Sequence, residues 1–471
     1  MSTKETNMKI NRRKFIGAAA TTVTAFTVVP RHVLGGTRFV APSEKVNIAV
    51  VGTGGQGRTN VRALFNEADA RIIAVCDPRE QCDYSGFYYG GMAGRKPVKD
   101  EVEKHYSQKT PNFRCAEYED FRVMLEKEKD IDAILCATPD HVHAVVSVRA
   151  MRMGKHVYCE KPLTHNVWEA RKVAQVAKET GVATQMGNQG HSGEGIRQTC
   201  EWIWDGAIGP VRAVYAWSDV GRWAVGKGRP LEKPLVPEGF NWDLWLGPRE
   251  PRPYHPAYAP HNWRGWWAFG TGGIGDMACH NLDPAFWALD LDAPIAVEAT
   301  SPGVDSEITC YCTIYRFTFG AKGNRPPVKV TWYDGGLRPP HPDGLDPDQP
   351  IGDGANGILF MGDKGIITCG GWGGAPRLLP RSKMEQYQQP PKNLPRSKGH
   401  HRDWLDACKG GKPASGNFGY SARLTELILL GNVALRTGMK LLWDAPNMKA
   451  TNAPEADAFL TEKYRSGWEV D

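Results

Sequence analysis

Residues 46–57 read VNIAVVGTGGQG, and this stretch decides the fold. Its first half is a mostly apolar, β-branched run of strand length, which predicts a buried β-strand. Its second half has the spacing G-x-G-x-x-G, with Gly52, Gly54 and Gly57 at the glycine positions. Such glycines permit a tight turn, a close approach of an anion to the backbone, and close packing of a helix on the strand. Because a helical pattern follows at 58–68, we expect a strand, a glycine turn and a helix.

The next strand brings an acidic residue to the same place. It is predicted at 71–76 and ends at Asp77, which lies 20 residues beyond Gly57. An acid here can accept hydrogen bonds from both hydroxyls of an adenosine ribose, and its charge repels a 2′-phosphate. With the amides of the glycine turn and Gln56, the pattern predicts a dinucleotide site that favours NAD. NADP stays open, because Arg79 is near enough in sequence to pair with a 2′-phosphate.

The alternation of strands and helices continues beyond this unit. We predict strands and helices, in turn, at 131–137, 141–153, 156–159, 167–180 and 182–186. Open parallel sheets bind ligands at the carboxyl ends of their strands, so we expect the turns at 138–139 and 160–162 to face a ligand. Residues 78–112 are rich in Gly and Tyr and interrupt this pattern, and the sequence assigns them no function.

The first 40 residues have the character of a leader. Residues 11–17 read NRRKFIG, and a weakly apolar run follows at 18–29. A twin arginine, an aromatic residue and a short apolar run are typical of a twin-arginine (Tat) export signal. We therefore expect a Tat leader over 1–40, which the Tat export machinery recognises, and a periplasmic protein. An uncleaved leader would tether it to a membrane.

Composition excludes several classes of protein. The chain has 471 residues, 41% of them hydrophobic and 23% charged, which is typical of a globular chain of two domains. The first 38 residues hold seven of the 58 basic residues and one of the 52 acidic ones, so the remainder is neutral. A neutral body argues against nucleic-acid binding. The 11 cysteines show no C-x-x-C spacing, so we expect no metal site.

The second half of the chain predicts a further α/β domain at 188–445. Strand-like runs with alternating polar and apolar residues occur at 211–220, 295–300, 311–319, 328–333 and 357–369. Alternation leaves one face of such a sheet for solvent or association, so we expect a homo-oligomer formed through this sheet. A helix near 419–437 and a mobile tail at 446–471 complete the chain.

A long aromatic loop is predicted at 221–272. Ten of the 16 tryptophans lie between 202 and 287. Aromatic faces stack on the C–H faces of sugar rings, so we expect one to three of them, with Trp263 foremost, at a ligand. The others are expected to pack the loop. Arg264, beside Trp263, can bind a hydroxyl or a carboxylate.

Four motifs follow one another along residues 46–290: the glycine turn, TPDHVH at 138–143, EKP at 160–162, and GGIGDMACH at 272–280. Together they resemble the Gfo/Idh/MocA family of NAD(P)-dependent oxidoreductases. The resemblance implies an N-terminal Rossmann domain with a doubly wound parallel sheet, expected at 44–187. It also implies a C-terminal α/β domain with an open, largely antiparallel sheet. A tightly held cofactor and a carbohydrate substrate (a sugar, cyclitol or glycoside) are further implications.

The same resemblance identifies Lys161 as an active-site lysine, and Asp276 with His280 as an acid–histidine pair. Their chemistry agrees, because an imidazole titrates near neutral pH and can accept the proton of a substrate hydroxyl. On a helix expected over 275–289, a spacing of four residues places Asp276 and His280 on one face. Lys161 can donate a hydrogen bond to the reacting oxygen and stabilise an alkoxide.

Three sets of candidate residues result. The catalytic set is Lys161, Asp276 and His280. The cofactor-binding set comprises Gly52, Gly54, Gln56, Gly57, Asp77, Thr138, Pro139, His143, Glu160, Lys161 and Gln189. The substrate-binding set comprises Lys161, Trp263, Arg264, Asp276 and His280.

Three functions are consistent with these residues. The first is an oxidoreductase that moves hydride between nicotinamide and a ring carbon of a sugar, cyclitol or glycoside. The second is an NAD-dependent glycosidase, which oxidises C3 transiently, eliminates the aglycone, adds water and reduces C3 again. The third is a non-catalytic sugar-binding or sensor protein. The presence of Lys161, Asp276 and His280 argues against the third.

Overall fold

The computed structural model describes residue 41, residues 44–221 and residues 228–470. The export signal expected over 1–40 therefore lies outside the described residues. Among the helices of the described ranges, none has the length and apolar character needed to cross a bilayer.

The described residues contain strands and helices throughout. In chain order the strands are β1 (Val46–Val51), β2 (Ala70–Cys76), β3 (Cys82–Asp83), β4 (Met92–Ala93), β5 (Ala116–Tyr118), β6 (Ala133–Cys136), β7 (His156–Glu160), β8 (Thr184–Gly187), β9 (Val211–Ser218), β10 (Ala296–Thr300), β11 (Ile314–Phe319), β12 (Val328–Tyr333), β13 (Asn356–Gly362), β14 (Gly365–Cys369), β15 (Arg377–Leu379), β16 (Leu441–Asp444) and β17 (Lys449–Ala450). The α-helices are α1 (Gly55–Leu64), α2 (Arg95–Ser107), α3 (Phe121–Lys127), α4 (Asp140–Arg152), α5 (Val167–Thr180), α6 (Glu194–Trp204), α7 (Trp242–Leu246), α8 (Cys279–Asn281), α9 (Asp283–Ala288), α10 (Arg381–Gln386), α11 (His400–Cys408) and α12 (Phe418–Thr437).

Six strands form the N-terminal sheet in the order β5-β2-β1-β6-β7-β8, and every pairing is parallel. Because the chain proceeds from β1 to β2 on one side and later to β6 on the other, the winding reverses at β1. Such a reversal leaves a crevice at the carboxyl ends of the strands, and the glycine turn lies there. The predicted doubly wound parallel sheet is confirmed.

Nine strands form the second sheet in the order β15-β14-β13-β9-β12-β11-β10-β16-β17. Only the pairing of β9 with β12 is parallel within it, so the predicted open, largely antiparallel sheet is confirmed. The single strand predicted at 357–369 is wrong. Gly362 pairs with Gly365, so the chain reverses at residues 363–364 and forms the hairpin of β13 and β14.

A long helix joins the two sheets. Helix α12 packs against α5 and β8 on one side and against β10 on the other. Its apolar residues, such as Leu427 and Ile428, are almost fully buried between these layers. The side chains that this helix buries therefore connect the parallel sheet to the mixed sheet.

The helix predicted at 275–289 is present, but it is not one regular α-helix. A π-helical turn at Ile274–Ala278 is followed by α8 and then by α9, which begins with Asp283 and Pro284. Proline has no N–H to donate, so it suits the first turn of a new helix and not the interior of an old one. At the π-turn, a Cβ on Gly275 would lie 1.8 Å from Thr271 Oγ1, so glycine lets the backbone approach that hydroxyl.

The last part of the chain is packed, contrary to the mobile tail that we expected. Trp468 and Val470 are buried, with 5% and 3% of their surface exposed. The Trp468 ring lies 6.0 Å from that of Phe121 and 4.1 Å from the guanidinium of Arg122. The tail therefore covers α3 of the parallel sheet.

A late helix completes the core of the parallel sheet. Trp404 and Leu405 of α11 are fully buried and belong to the same apolar cluster as Ile48 and Val50 of β1. Arg402 of this helix also pairs with Asp69, just before β2. The apolar core of the parallel sheet is thus built from both ends of the chain.

Candidate active site

A cavity of about 500 Å³ opens at the carboxyl ends of the parallel strands. Gly54 and Asp77, which follow β1 and β2, line one part of it. Lys161, which follows β7, lines another part together with Asp276 and His280 of the second domain. One continuous cavity therefore joins the glycine turn to the three residues expected to act on substrate.

An ion pair between Lys161 and Asp276 lies at the centre of the second part. Lys161 Nζ donates to Asp276 Oδ1 at 2.5 Å and to its backbone oxygen at 2.8 Å. Arg264 Nε lies 3.1 Å from the same Oδ1. Burial alone would raise the pKa of Asp276, but the two cations outweigh it and hold that pKa at about 2. Asp276 is therefore an anion at neutral pH.

Arg264 is fixed by a second carboxylate. Its Nη1 lies 3.1 Å from Asp140 Oδ1 at the start of α4, and Thr271 donates to Asp140 Oδ2 at 2.7 Å. The guanidinium also lies 4.4 Å from the centre of the Trp263 ring. Burial disfavours the charged form, yet Asp140 and Asp276 raise the pKa of Arg264 above its ordinary value.

His280 is a neutral imidazole in this setting. Its side chain is buried, and burial together with the charge of Lys161 lowers its pKa well below the ordinary value. Its Nδ1 is buried and, among the described residues, has no hydrogen-bond partner. Because His280 lines the cavity, its neutral imidazole can accept a proton or a hydrogen bond from a substrate hydroxyl.

Glu160, the last residue of β7, accepts hydrogen bonds from three amide side chains. Its Oε1 accepts hydrogen bonds from Asn60 Nδ2 at 2.8 Å, Gln56 Nε2 at 3.3 Å and Gln189 Nε2 at 3.4 Å. Burial raises the pKa of Glu160, and the bond from Asn60 opposes this rise. The carboxyl group thus orients Gln56 and Gln189, which both line the cavity.

Most of the predicted residues meet at the cavity. Those that line it are Gly52, Gly54, Gln56, Asp77, Thr138, Pro139, Glu160, Lys161, Gln189, Trp263, Arg264, Asp276 and His280. Gly57 lies beneath the turn, where an added Cβ would be 1.9 Å from the Gly52 carbonyl oxygen. It serves the packing of α1, as its place in the motif predicts.

His143 was expected at the cofactor, and the structure does not place it there. Its two ring nitrogens each lie 2.8 Å from a backbone oxygen, one of Thr138 and one of Pro162. The ring is buried and does not line the cavity. It holds together the two turns that follow β6 and β7, so its contribution to the site is structural.

The aromatic loop mostly packs against itself. Trp242, Tyr258, Trp266 and Phe269 belong to one buried aromatic cluster. Of the described loop tryptophans, Trp245 and Trp263 reach the cavity wall. Trp223 lies outside the described residues.

Sequence reasoning missed Trp372. This residue lines the cavity, its ring centre lies 5.7 Å from that of His280, and 45% of its surface is exposed. Its φ of +58° is in the left-handed region, which costs a residue with a Cβ roughly 1 kcal/mol. The Trp372 N–H donates to Asn281 Oδ1 at 3.0 Å, which holds this conformation. The sequence signal is the tryptophan inside GGWGG at 370–374.

Sequence reasoning also assigned no function to three tyrosines in the segment 78–112. Strands β3 and β4 form a small hairpin there, and Tyr84, Tyr88 and Tyr89 between them line the cavity. A Cβ added to Gly54 would lie 2.6 Å from Tyr84 Oη, and one added to Gly55 would lie 2.1 Å from the Tyr89 ring. Both rings thus touch the backbone of the glycine turn. The sequence signal is the run YSGFYYGG at 84–91.

The residues around the glycine turn fit the ribose end of a dinucleotide, and two tyrosine rings cover the surface for its phosphates. Gly52 has φ +86° and permits the tight turn, and Asp77 accepts hydrogen bonds from the backbone N–H groups of Thr53 and Arg79, both at 2.8 Å. Burial raises the pKa of Asp77 despite these donors. The surface that would receive the phosphates, at the start of α1, is covered by Tyr84 and Tyr89.

Comparisons with known proteins agree with this architecture. Residues 98–188 match the family profile described as "Oxidoreductase family, NAD-binding Rossmann fold" of the GFO_IDH_MocA set. Residues 211–323 match the C-terminal alpha/beta domain of the same set. Over these residues the chain is therefore similar to both domains of the Gfo/Idh/MocA oxidoreductase family. The N-terminal match is to an NAD-binding Rossmann domain, so the predicted cofactor is confirmed at the level of NAD.

The curated proteins that resemble this chain include enzymes with different names. A 2,7-anhydro-N-acetylneuraminate hydratase of Mediterraneibacter gnavus is 26% identical over 35% of the chain and 37% of the relative. An inositol 2-dehydrogenase of Rubrobacter xylanophilus is 31% identical over 30% of the chain and 33% of the relative. The matched region thus spans about a third of each of these curated relatives.

A solved structure supports the fold over a longer range. The WlbA dehydrogenase of Bordetella pertussis, in complex with NADH and UDP-GlcNAcA, superposes with a TM-score of 0.54. The match covers 85% of the chain described here and 99% of the solved chain, at 15% identity. At this identity the likeness concerns the fold alone.

Proposed function

We propose that the protein is an NAD-dependent oxidoreductase that moves hydride between nicotinamide and a ring carbon of a sugar, cyclitol or glycoside. One observation carries this proposal. The Lys161–Asp276 ion pair and the buried His280 line the same cavity as the glycine turn, two strands further along the parallel sheet. An alcohol bound there would share the cavity with a hydride acceptor and with a base.

His280 is the proposed base. Oxidation of a secondary alcohol releases the hydroxyl proton, and a neutral imidazole that lines the cavity can accept it. Asp276, an anion beside it, favours the imidazolium that results. A bound nicotinamide supplies the acceptor for the hydride.

Lys161 is proposed to bind the reacting oxygen. Its ammonium has three N–H donors, and two are used on Asp276. The third can donate to the substrate oxygen and stabilise the negative charge that develops as the proton leaves. Arg264 holds Asp276 from the other side and keeps the acid in place.

The charges around the substrate position suit a neutral ligand. Two cations, Lys161 and Arg264, face two anions, Asp140 and Asp276. The exposed indole of Trp372, with Trp263, offers apolar faces on which the C–H face of a sugar ring can stack. An uncharged ring with several hydroxyls matches both features.

The cellular context is proposed from the sequence. The twin-arginine pattern at 11–17 supports export through the Tat machinery to the periplasm, with a membrane tether if the leader stays uncleaved. An exported enzyme meets little free NAD. We therefore propose tight retention of the cofactor, so that a second sugar or ketone completes the cycle. Association of copies through the nine-stranded sheet belongs to the same proposal.

The test is the near-ultraviolet absorbance of reduced nicotinamide in the freshly purified full chain. We expect this band to rise or fall when members of a panel of sugars, cyclitols and glycosides are added. A matched panel of acyclic alcohols serves as the control. If no member changes the band in a protein that holds the cofactor, net hydride transfer to these substrates is contradicted.

A second candidate is an NAD-dependent glycosidase that works by transient C3 oxidation. Its support is the likeness to a relative named a hydratase, whose name describes the addition of water without net oxidation. In this case the nicotinamide band would show no net change during turnover. Deuterium from solvent would appear at C2 of the product, whereas simple alcohol oxidation leaves C2 unlabelled.

A further inference from the structure

The hairpin of β3 and β4, with the residues between them, covers the start of α1. We call this segment (residues 82–93) the tyrosine hairpin. The first turn of α1 has Gly54 at its N-cap and no side-chain cap. Such a turn offers free backbone N–H groups to an anion. In the structure its neighbours are Tyr84 and Tyr89.

The two tyrosines occupy the approach to these amides. Tyr84 Oη would be 2.6 Å from a Cβ on Gly54, and the Tyr89 ring would be 2.1 Å from a Cβ on Gly55. A phosphate oxygen must come within about 3 Å of the amide nitrogens to accept their hydrogen bonds. The rings and a pyrophosphate cannot fill this space together.

The Tyr84 hydroxyl occupies the position expected for an anion. It hydrogen-bonds to the backbone of Gly55, while burial raises the pKa of the phenol. The hydroxyl therefore stays neutral and is a weaker acceptor than a phosphate oxygen. A dinucleotide that reaches the turn replaces a neutral hydrogen bond with charge-assisted ones.

The tyrosine hairpin is lightly attached. It has two paired positions, Cys82 with Ala93 and Asp83 with Met92. Beyond these, Arg58 Nη1 donates to the Gly90 oxygen at 3.3 Å, and the Tyr84 hydroxyl hydrogen-bonds to the Gly55 backbone. Few contacts and short strands make a segment that opens at low cost.

The tyrosine hairpin also has glycines that can act as a hinge, and it contacts the aromatic loop. Gly90, Gly91 and Gly94 have φ values of +61°, +70° and +116°, which are accessible to glycine at little cost. Phe87 stacks on His261 of the aromatic loop at 4.3 Å. Tyr88 also meets the His261 ring edge-on at 6.1 Å, so opening would break two ring contacts with His261.

From these contacts we infer that the tyrosine hairpin is a gate for the dinucleotide. Tyr84 and Tyr89 close the glycine turn, and the cofactor binds only when the hairpin moves away from it. This inference rests on the proposed NAD cofactor and goes beyond it, because it concerns entry and not chemistry. Because the cofactor binds only the open form, the closed fraction lowers its apparent affinity and slows its association.

Hydrogen–deuterium exchange of the full chain, with and without NAD, tests the movement. We expect NAD to slow exchange at 52–60 and to speed it at 82–93. Equal protection of both segments would mean that the hairpin closes over the cofactor, and it would overturn the gate.

Stopped-flow binding of NADH tests the tyrosines themselves. Tyr84→Phe removes the hydroxyl, and Tyr89→Ala removes the ring over Gly55. Each should speed association about 2- to 10-fold, the effect that one hydrogen bond has on an equilibrium constant. The control is Tyr387→Phe, which removes a hydroxyl that binds Asp205 outside the cavity.

The outcomes separate the gate from the cofactor assignment. Equal association rates for the wild-type protein and both variants would contradict the gate alone. Absence of NADH binding in all of these proteins would contradict the cofactor assignment and the gate with it. Thermal unfolding shows whether each variant is folded, and if neither is, exchange in the wild-type protein decides.

Discussion

Lys161 is the residue on which the proposed chemistry depends most. Its side chain is 16% exposed, and it reaches across from the parallel sheet to the acid of the second domain. The same ammonium therefore positions Asp276 and faces the substrate. A change at this residue affects the reaction in both ways.

Replacement of Lys161 tests this dependence. Lys161→Met keeps the length of the side chain but removes every donor, so kcat should fall about 100- to 1000-fold. The measurement is the single-turnover rate of nicotinamide reduction with the best substrate of the panel. The control is Lys178→Met, on the exposed side of α5, which should leave the rate unchanged. An unchanged rate in Lys161→Met would remove this residue from the mechanism.

Trp372 contributes to stability in two opposite ways. Trp372→Gly relieves left-handed strain of about 1 kcal/mol, but it removes an indole that is 45% exposed and otherwise buried, so the free energy of unfolding should fall by about 1 to 2 kcal/mol. The loss of the stacking face should raise KM for a sugar about tenfold. Urea unfolding and steady-state kinetics measure the two effects. Trp372→Phe keeps a ring and should retain most of the affinity, and an unchanged KM in Trp372→Gly would contradict the stacking.

At the level of elements, the glycine turn holds β1 and α1 together. Gly57→Ala would place a Cβ 1.9 Å from the Gly52 oxygen, so either the strand or the helix must move. We expect a loss of about 3 kcal/mol in the free energy of unfolding, measured with urea. Gly303→Ala, where no atom lies within 4 Å of the added Cβ, is the control and should have little effect. Equal stability of the two variants would argue against tight packing at the turn.

Elements with a strong local pattern could be predicted from the sequence. Helix α5 spans Val167–Thr180 and β12 spans Val328–Tyr333, as expected, because caps fix the helix and a run of strand-forming residues fixes the strand. The broken helix after Gly273 could not be predicted. Its π-turn depends on the contact of Gly275 with Thr271, and periodicity does not report such a contact.

The residues of the candidate site also divide into those that the sequence predicts and those that it does not. Lys161, Asp276 and His280 could be predicted because they stand in motifs whose order is informative. Trp372 and Tyr89 could not, because they come from separate loops that reach the cavity only through tertiary packing. Gly-rich flanks were the available signal for both, and glycine alone does not distinguish a turn from a site.

For the whole molecule, buried imidazoles predict instability in acid. Burial lowers the pKa of His165 and of His400 from 6.5 to about 3. Between these values the unfolded chain binds protons that the folded chain does not, so stability is full above pH 6.5 and is lost as the pH falls. At pH 5 each group should cost about 2 kcal/mol in the free energy of unfolding.

Urea unfolding at about pH 7.5 and pH 5 measures this loss. The double variant His165→Gln/His400→Gln has no such protons to bind and should show a smaller difference between the two pH values. A wild-type protein that is equally stable at both would contradict the assigned burial of these rings.

The participation of Trp404 and Leu405 in the core of the parallel sheet has a consequence for synthesis. Both residues leave the ribosome long after β8, so a nascent chain that has completed six strands still lacks part of their apolar cover. The domain with the parallel sheet should therefore complete its folding only near the end of translation. A fragment that stops before α11 should expose apolar surface to a dye, whereas addition of a peptide with the α11 sequence should reduce that signal.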